Sequence, residues 1–366
     1  MKRQLALVLS FVALALTAVV SAQQPQIQNG RIEARQATSI DREVSSFNAS
    51  ADPVWIGWRV PIVDGENGGC YTWNSDAEFY RGYTLDFGPF GSQTTWNRPQ
   101  VAATSGPAQI EASSNLVVLA RVSDGRVERI QRFGADCPID AGGRALYWLN
   151  GITPAESLRW LEGFIGQDKG DRLSPSARRS LASSAIGAIS LHREAAADAV
   201  LDRVAMNERD TSLRQQAETA LGRYRGAHGF QTLRALLAQE RAPERKRQLI
   251  AALGQTRETG TVDALRGFLK DEDPRVRSEA VYYFAIRGGQ NVVTEVRAIM
   301  DTDPASDVRL RAVSGLARLP EDAAVPLLID IAGKSRDLEV RKRAVSSLNP
   351  SKDPRAVAFL QDLVKR

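Results

Sequence analysis

The sequence predicts an α+β protein of more than one domain, with a small, mostly β N-terminal domain followed by an all-α solenoid of about six helical hairpins. Three observations predict this fold class. In the C-terminal half a cation recurs six times at spacings of 31 to 35 residues, and such a period is typical of stacked supersecondary units. In the N-terminal half, apolar residues alternate along the chain as they do in strands. The start signal of a helix lies between the two halves.

Residues 1–22 have the pattern of an export signal peptide. Lys2 and Arg3 precede an apolar run over residues 5–20, and residues 20–22 are the small residues Val-Ser-Ala. We predict cleavage after Ala22 and hence an exported protein, periplasmic or secreted. An uncleaved anchor is the less favoured alternative, because the run is slightly short for a membrane span. Loss of Lys2 and Arg3 lowers the net charge from +5 to +3, which is too weak to favour a nucleic-acid partner. No later stretch is predicted to span a bilayer.

Residues 23–49 are predicted to be a polar tether that contains one short helix, with Ile40, Val44 and Phe47 on one face. Residues 50–150 are predicted to form a small β-rich domain. Apolar residues alternate from 54 to 62, and two further segments, 116–122 and 126–133, flank an Asp-Gly pair. That pair is a strong signal for a tight hairpin. Another short strand is expected near residues 146–148.

The chain has two cysteines, Cys70 and Cys137, both in the predicted β-rich domain. In an oxidising compartment, two isolated cysteines in one domain most simply form a disulfide. A reactive thiol would need an activating neighbour such as histidine, and both histidines lie in the other half of the chain. We therefore predict a Cys70–Cys137 disulfide, which would stabilise the fold by about 4 kcal/mol.

Residues 151–173 are predicted to form a linking and capping helix. Thr153-Pro154-Ala155-Glu156 is a capping box with proline at the first helical position. The helix is expected to run through Phe164 and to join the two halves of the chain.

Residues 174–366 repeat one pattern. The recurring cations are Arg179, Arg214, Lys246, Arg277, Arg309 and Arg341. Three residues after each cation comes alanine or leucine, seven after it a large apolar residue, and eight after it usually glycine or alanine. These steps place the side chains on one helical face. The small residue suits a close helix crossing or a C-terminal cap.

A second apolar helix follows in each repeat. Counted from the cation, positions 16, 19 and 22 are apolar in the five later repeats, and these positions again share one helical face. Each repeat is therefore a helical hairpin that cannot bury its apolar faces alone. Aspartate-proline pairs that begin at Asp273, Asp303 and Asp353 are expected to cap helix starts.

The segments 273–285 (DPRVRSEAVYYFA), 307–319 (DVRLRAVSGLARL) and 337–349 (DLEVRKRAVSSLN) resemble the HEAT-repeat family, especially its shorter members of about 32 residues per repeat. The resemblance covers roughly residues 174–366, whereas the N-terminal half matches no family. It implies a right-handed α-solenoid that holds protein partners, with the second helices on its concave side. Similar repeats occur in phycobilin lyases, but an exported protein fits that enzymatic branch poorly.

The resemblance also implies a structural role for the six recurring cations. In the family, arginines at this position bond to acids of the adjoining repeat, which predicts a ladder of ion pairs. Asp210, Asp273 and Asp337 each precede a cation by four residues. A row of anion-binding cations is the less favoured alternative.

Position 20 after the cation is arginine in three adjacent repeats, at Arg234, Arg266 and Arg297. Stacking would align these residues into a basic surface on the second helices, which we call the arginine stripe. It is the candidate partner-binding site, suited to an acidic protein surface or an anionic envelope polymer through forked hydrogen bonds. A solvated face that carries charge without a ligand is the alternative.

The N-terminal half leaves other functions open. Ten aromatic residues lie between positions 55 and 96, and exposed rings would stack on sugars, although a small β core also uses large flat side chains. Carboxylates at Asp64, Glu66, Asp76 and Glu78 would suit acid–base chemistry, but their spacing selects no pair.

No cofactor, metal site or catalytic residue is predicted. Two histidines and no clustered cysteines leave little for a transition metal, and no nucleophile-elbow motif accompanies the serines. His192 and His228 are expected at the surface or as caps near helix starts. Three functions remain: a non-catalytic adaptor or scaffold that binds a protein partner, a glycan- or envelope-binding module, and a hydrolase or lyase with its site between the halves.

Overall fold

A computed structural model describes residues 27–28, 30–48, 52–66, 68–69, 114–135, 137, 139–166 and 173–365. The chain divides into two compact units, Met1–Ala197 and Asp198–Arg366. All strands of the described residues lie in the first unit, and helices dominate the second. The fold is thus α+β, with a small sheet in the N-terminal region and a helical repeat region after it.

The first unit is built on a five-stranded sheet. Its strands are β2 (Arg31–Gln36), β3 (Val54–Pro61), β4 (Asn115–Ser123), β5 (Arg126–Gly134) and β7 (Ala145–Asn150). Their order in the sheet is β2-β7-β3-β4-β5, and β7 is parallel to both of its neighbours. β3–β4 and β4–β5 are antiparallel. β1 (Ile27–Gln28) and β6 (Ile139–Asp140) form a separate parallel pair.

Local sequence explains the hairpin between β4 and β5. The turn residues Asp124 and Gly125 have positive φ angles of 49° and 65°, as a two-residue hairpin turn requires. The strands predicted on either side of this turn are confirmed. β3 is also confirmed, but it is buried on both sides: Trp55 and Trp58, which point to opposite faces of the sheet, are both fully buried.

Part of the segment predicted as a tether belongs to this sheet. β2 pairs with β7 along its whole length, while most of its side chains are exposed. An edge strand with one solvated face does not need a continuous apolar sequence. The charged residues Arg31, Glu33 and Arg35 therefore gave this segment no apolar alternation from which a strand could be predicted. Residues 31–36 are therefore a strand and not a tether.

Three helices accompany the sheet. α1 (Ile40–Ser45) is the predicted short helix, and Ile40, Val44 and Phe47 are all buried. α2 (Pro154–Glu162) begins at the predicted capping box, where the Thr153 hydroxyl accepts a hydrogen bond from the Glu156 amide. α3 (Pro175–Ile189) packs against β5 within the same unit.

The predicted disulfide involves Cys70, which lies outside the described residues. Cys137 is buried in the sheet core, and its Sγ lies 3.2 Å from the carbonyl oxygen of Gly69, the residue that precedes Cys70. The pairing itself stays a prediction.

The second unit consists of helical hairpins. α4 (Ala196–Asn207) crosses the boundary between the units. The first helices of the following hairpins are α5 (Thr211–Tyr224), α7 (Pro243–Leu253), α9 (Pro274–Gly288), α11 (Ser306–Leu316) and α13 (Leu338–Leu348). The second helices are α6 (Gly226–Gln239), α8 (Thr261–Arg266), α10 (Val293–Thr302), α12 (Glu321–Lys334) and α14 (Pro354–Lys365).

The predicted core positions of the repeats are buried. The apolar residues seven positions after the cations are all 0% exposed. They are Ile186, Leu221, Leu253, Phe284, Leu316 and Leu348. The position after them is small because helices cross there. A Cβ added at Gly222 would lie 2.0 Å from the Ala252 carbonyl oxygen, and one at Gly254 would lie 2.2 Å from the Tyr283 ring.

Two of the three predicted aspartate caps are confirmed. Asp273 caps α9, with Pro274 at the first helical position, and the Asp353 carboxylate accepts a hydrogen bond from the Arg355 amide at the start of α14. Asp303 does not cap α11, which begins at Ser306, although its Oδ1 accepts a hydrogen bond of 2.9 Å from the Ala305 amide just before that helix. The Asp303 side chain also bonds to an arginine of the preceding hairpin.

Candidate functional site

The arginine stripe lies on three successive second helices of the second unit: Arg234 on α6, Arg266 on α8 and Arg297 on α10. The positions are equivalent, as the repeat register predicts, and none of the three side chains is buried. Their surroundings differ, because the second helices also carry acids.

Two stripe arginines bond to carboxylates of the following repeat. The Arg266 guanidinium lies 3.1 Å from each carboxylate oxygen of Glu295 on α10. Arg297 Nη2 lies 2.6 Å from Asp330 Oδ2 on α12. Hydrogen bonds from Lys334 and then from Arg297 lower the pKa of Asp330. The positive charge of the stripe is thus partly neutralised. Ion pairs as exposed as these each contribute less than about 1 kcal/mol to the stability of the fold.

Arg234 differs from the other two stripe residues. Its guanidinium lies 5.4 Å from the centre of the Phe230 ring, and it forms no ion pair with any residue that the structure describes. Sequence reasoning found the three arginines but missed the acids at Glu295 and Asp330. Glu295 and Asp330 lie at positions 18 and 21 after their cations, so they share neither a repeat position nor the helical face of position 20, and no pattern identified them.

The recurring cations of the first helices form the second candidate constellation. Lys246 Nζ lies 2.8 Å from Asp271 Oδ2, Arg277 forms a two-bond fork of 2.8 and 3.0 Å with Asp303, and Arg309 Nε lies 2.8 Å from Asp337 Oδ2. Each acid lies in the loop that leads to the next hairpin. Three rungs of a ladder therefore join consecutive repeats.

The same cations also hold their own loops. Arg214, Arg277, Arg309 and Arg341 each donate a hydrogen bond to the carbonyl six residues earlier, at distances of 2.8 to 3.4 Å. Arg179, the first of the series, lies exposed on α3 in the first unit. A cation that binds its own loop and an acid of the next loop fixes the spacing of adjacent hairpins.

Of the acids that the sequence suggested for the ladder, Asp337 receives Arg309 from the preceding repeat. The Asp210 and Asp273 side chains cap α5 and α9. The ladder acids Asp271 and Asp303 were not identified from the sequence. The reason is geometric: each cation reaches forward to the next loop rather than back to its own cap.

A polar cleft of about 510 Å³ surrounds one rung of the ladder. It is lined by Met300, Asp301, Asp303, Arg309, Lys334, Ser335, Arg336 and Asp337. Cations and acids alternate around it, and Arg309 already pairs with Asp337. The cleft therefore offers no net charge of one sign to a ligand.

The comparisons with known proteins agree with these repeated hairpins. The family described as HEAT repeats matches residues 230–317 and 293–366. The C-terminal half of the chain carries HEAT repeats. Comparison with curated proteins finds no match.

The similar solved structures include the following two. Human deoxyhypusine hydroxylase in complex with glycerol shares 15% sequence identity at a TM-score of 0.32, covering 57% of this chain and 90% of its own. The complex of CpcE and CpcF of phycocyanin lyase from Nostoc sp. PCC7120 shares 17% identity at a TM-score of 0.33, covering 58% of this chain and 88% of its own. At such TM-scores neither similarity carries an inference about this chain.

Outside the HEAT repeats, the first unit contains a buried Ser–His–Glu network. The Ser157 hydroxyl lies 3.2 Å from His192 Nε2 and accepts a hydrogen bond of 2.8 Å from Trp58 Nε1. His192 Nδ1 lies 3.4 Å from Glu194 Oε2. Burial raises the pKa of Glu194, but its contact with the His192 ring and the charge of Arg193 together bring it below the ordinary value.

This network has the residue types of a hydrolase but not the access. Ser157 and His192 are both 0% exposed, so neither side chain contacts solvent in this structure. The network joins β3 to α2 and to the segment after α3, which is a structural role. The prediction that His192 lies at the surface is wrong, because the segment around it pairs with Ile62 beside β3. His228 is exposed and bonds to Asp202, as its position near a helix start suggested.

The remaining candidate groups add no reactive centre among the described residues. Trp55 and Trp58 are buried, while the other aromatic residues of the dense segment lie outside the described ranges. Asp64 pairs with Arg193, and Asp76 and Glu78 lie outside those ranges. In the described part, no three His, Cys, Asp or Glu residues are grouped to hold a metal ion. Nor is any described helix both long and apolar enough to span a bilayer.

The ladder of the HEAT repeats gives a stability prediction. Asp303→Ala should lower the free energy of unfolding by about 3 kcal/mol, because it leaves the guanidinium of Arg277 without its carboxylate. The two side chains are only 13% and 8% exposed, so solvent screens the pair weakly. Urea unfolding followed by circular dichroism measures the change, with Asp301→Ala as the control. Asp301 is an exposed acid two residues away, and its loss should cost less than about 0.5 kcal/mol.

The same pair predicts a pH dependence. Burial raises the pKa of Asp303, but the hydrogen bonds from Arg277 and the Ala305 amide outweigh it, so that the folded pKa lies below the ordinary value. The pair therefore stabilises the fold above the unfolded-state pKa of about 4, and this contribution disappears as the pH falls through the folded pKa. The difference between wild type and Asp303→Ala should shrink on acidification. A difference that stays constant from neutral pH to pH ~2 would contradict the role of the carboxylate.

Proposed function

We propose that this chain is an exported, non-catalytic adaptor whose HEAT repeats hold a protein partner. The observation that carries the proposal is the repeated hairpin array of residues 230–366. Such arrays present an extended surface rather than a deep pocket, and they act through outward side chains. A protein surface is the partner that matches an extended surface in size.

Export is part of the proposal and rests on the sequence of residues 1–22. The Cys70–Cys137 pair would serve the same compartment, since disulfides persist in oxidising environments. The β-rich domain would then supply a second contact surface. Periplasmic and secreted locations both fit this proposal.

The arginine stripe is the first surface to test. Arg234 is free to accept an acidic group, whereas a partner of Arg266 or Arg297 must share the guanidinium with Glu295 or Asp330. An acidic protein surface meets both conditions, because a guanidinium has five N–H donors and each observed pair uses at most two or three of them.

The experiment is crosslinking and affinity capture from the native envelope with the full mature chain. A dominant, reproducible protein partner is expected, and recovery should fall when Arg234, Arg266 and Arg297 are all replaced by glutamine. A matched triple variant, Arg209→Gln, Arg241→Gln and Arg343→Gln, removes the same charge from exposed sites elsewhere. It should leave recovery unchanged.

Other outcomes would redirect the proposal. Recovery of wall fragments alone would replace the adaptor by a glycan- or envelope-binding module. Unchanged protein recovery with the stripe variant would keep the adaptor but remove the stripe from it. Localisation of the full chain by cell fractionation tests export separately, and a cytoplasmic pool of uncleaved protein would contradict it.

A further inference from the structure

Two arginines of the second unit, Arg257 and Arg287, are near enough for the charge of one to lower the pKa of the other, and no carboxylate of the described residues pairs with either. Arg257 follows the end of α7, and Arg287 lies in the last turn of α9. Neither forms an ion pair with any residue that the structure describes. Arginines on the neighbouring faces behave differently, since Arg266, Arg277 and Arg309 each bond to an acid of the next repeat.

The Arg287 side chain is held in place by backbone. Its Nε donates a hydrogen bond to the carbonyl of Gly254, the residue that ends α7. Gly254 lies three residues before Arg257, so this bond brings the guanidinium to the loop that carries Arg257. The Tyr283 ring packs over Gly254 beside it, and Gln255 Nε2 lies 3.5 Å from the Tyr283 hydroxyl. The Arg287 guanidinium thus contacts the neutral carbonyl at the end of α7.

The charges around Arg287 are unfavourable for a cation. Burial and then the nearby Arg257 both lower its pKa. Glu258, the acid next to Arg257 in the chain, lies instead beside Gly226. A half-buried guanidinium next to a second cation is stabilised by an anion that pairs with both.

We propose that Arg257 and Arg287 together bind a carboxylate side chain of an acidic protein segment. This inference rests on the proposed adaptor function and names a contact for it outside the arginine stripe. Two guanidinium groups can hold one carboxylate through forked hydrogen bonds. A polyanion such as nucleic acid would need a continuous track of cations to match its phosphates, whereas a single carboxylate needs only the two guanidinium groups of this pair.

The test is direct binding of a short fluorescent peptide of alternating glutamate and serine to the full mature chain at low ionic strength. Arg257→Gln combined with Arg287→Gln should weaken binding about tenfold or more, since each charge-assisted hydrogen bond contributes 1.4 kcal/mol or more. The matched control, Arg241→Gln with Arg343→Gln, should change affinity less than about threefold, because those sites contribute only long-range attraction. The glutamine version of the peptide should not bind measurably.

Arg287 also bonds to Gly254, so Arg257→Gln alone keeps the test independent of folding. Arg257 is exposed, and its loss should weaken peptide binding about fivefold with an unchanged thermal unfolding midpoint. Equal weakening by the pair and the control variants would overturn the inference. So would tighter binding of a single-stranded oligonucleotide that depends on Arg257 and Arg287.

The experiments distinguish failure of the adaptor proposal from failure of the Arg257–Arg287 proposal. If envelope capture yields a protein partner whose recovery is unaffected by Arg257→Gln, the adaptor proposal is supported and the carboxylate contact is contradicted. If the acidic peptide binds through the arginine pair but capture yields no protein, the carboxylate contact is supported and the adaptor proposal is contradicted.

Discussion

Replacement of Gly222 by alanine is expected to cause one of the two largest losses of stability among single changes in the HEAT repeats. A Cβ at this position would lie 2.0 Å from the carbonyl oxygen of Ala252 on the next first helix. The obstacle is backbone, so no rotamer change can relieve it. Overpacking of this kind costs about 1–3 kcal/mol and more when a helix must move. We expect a loss of at least about 3 kcal/mol, measured by urea unfolding.

Gly333 provides the matched control for this prediction. It lies inside α12, and a Cβ added there would meet nothing within 4 Å. Gly333→Ala should therefore stabilise the protein by about 0.5–1 kcal/mol through helix propensity and loss of unfolded-chain entropy. Hydrogen exchange should report faster opening of α5 and α7 in Gly222→Ala, because repeat arrays lose structure locally before they unfold globally. Equal stability of the two variants would show that the helices are not in close contact at Gly222.

The sequence predicted this crossing because a period identifies equivalent positions. A small residue eight positions after five of the six cations has a physical meaning only if each repeat meets its neighbour in the same way. The fully buried residues at position 7 were predictable for the same reason. Repetition supplies internal comparison, so that a single sequence behaves like an alignment of its own repeats.

The sequence did not predict the ion-pair partners, because a partner depends on the direction that a side chain takes and not only on the position of its residue in the repeat. Lys246 and Arg277 reach forward to Asp271 and Asp303, and a loop conformation that no pattern encodes sets that direction. The stripe residue Arg266 shows the same limit, since Glu295 on the next helix reduces its free charge. Less of the N-terminal unit could be predicted from the sequence, because β2 is an edge strand of mixed polarity and β3 is buried on both faces.

The second large effect concerns a buried charge where the last three repeats place hydrocarbon. Four positions after the cation, the third to sixth repeats have Ile250, Val281, Val313 and Val345, whereas the second repeat has Glu218. One position before the cation, Leu213, Val276, Val308 and Val340 of the second and the last three repeats correspond to Arg245 in the third repeat. These two exceptions are in contact: Arg245 Nη1 lies 3.0 Å from Glu218 Oε1.

The surroundings of Glu218 determine how it titrates. Its side chain is 1% exposed, Arg214 Nε lies 3.9 Å away, and Arg245 is shared with Glu240 at 3.0 Å and with the Ala205 carbonyl at 3.0 Å. Burial raises the pKa of Glu218 to about 7, although the Arg245 and Arg214 guanidinium groups act in the opposite direction. The carboxyl therefore changes its charge near neutral pH while it lies between two first helices, α5 and α7.

A raised folded-state pKa fixes the sign of the pH effect. The unfolded chain loses the Glu218 proton near pH 4.5 and the folded chain near pH 7, so the folded state binds more protons between these values. The free energy of unfolding should fall as the pH rises through this window, by at most about 3 kcal/mol, and then level off. The Glu218→Gln variant should lack this fall in the free energy of unfolding, whereas the matched exposed variant Glu339→Gln should show it as the wild type does. Unfolding midpoints measured from pH 4 to pH 8 (about the limits of the window) test the sign directly.

The mutational counterpart of this prediction is a double-mutant cycle. Arg245→Val should cost about 3 kcal/mol at pH ~8, where it leaves an ionised carboxylate buried, and less at pH ~5, where Glu218 takes up a proton. Glu218→Val combined with Arg245→Val restores the residue type of the last three repeats. The double variant should be as stable as the wild type or more stable by about 1–4 kcal/mol, as for other buried pairs replaced by hydrocarbon. Additive losses in the double variant would mean that Glu218 and Arg245 act independently, and that the joint between the second and third repeats is specified by something other than their charge pair.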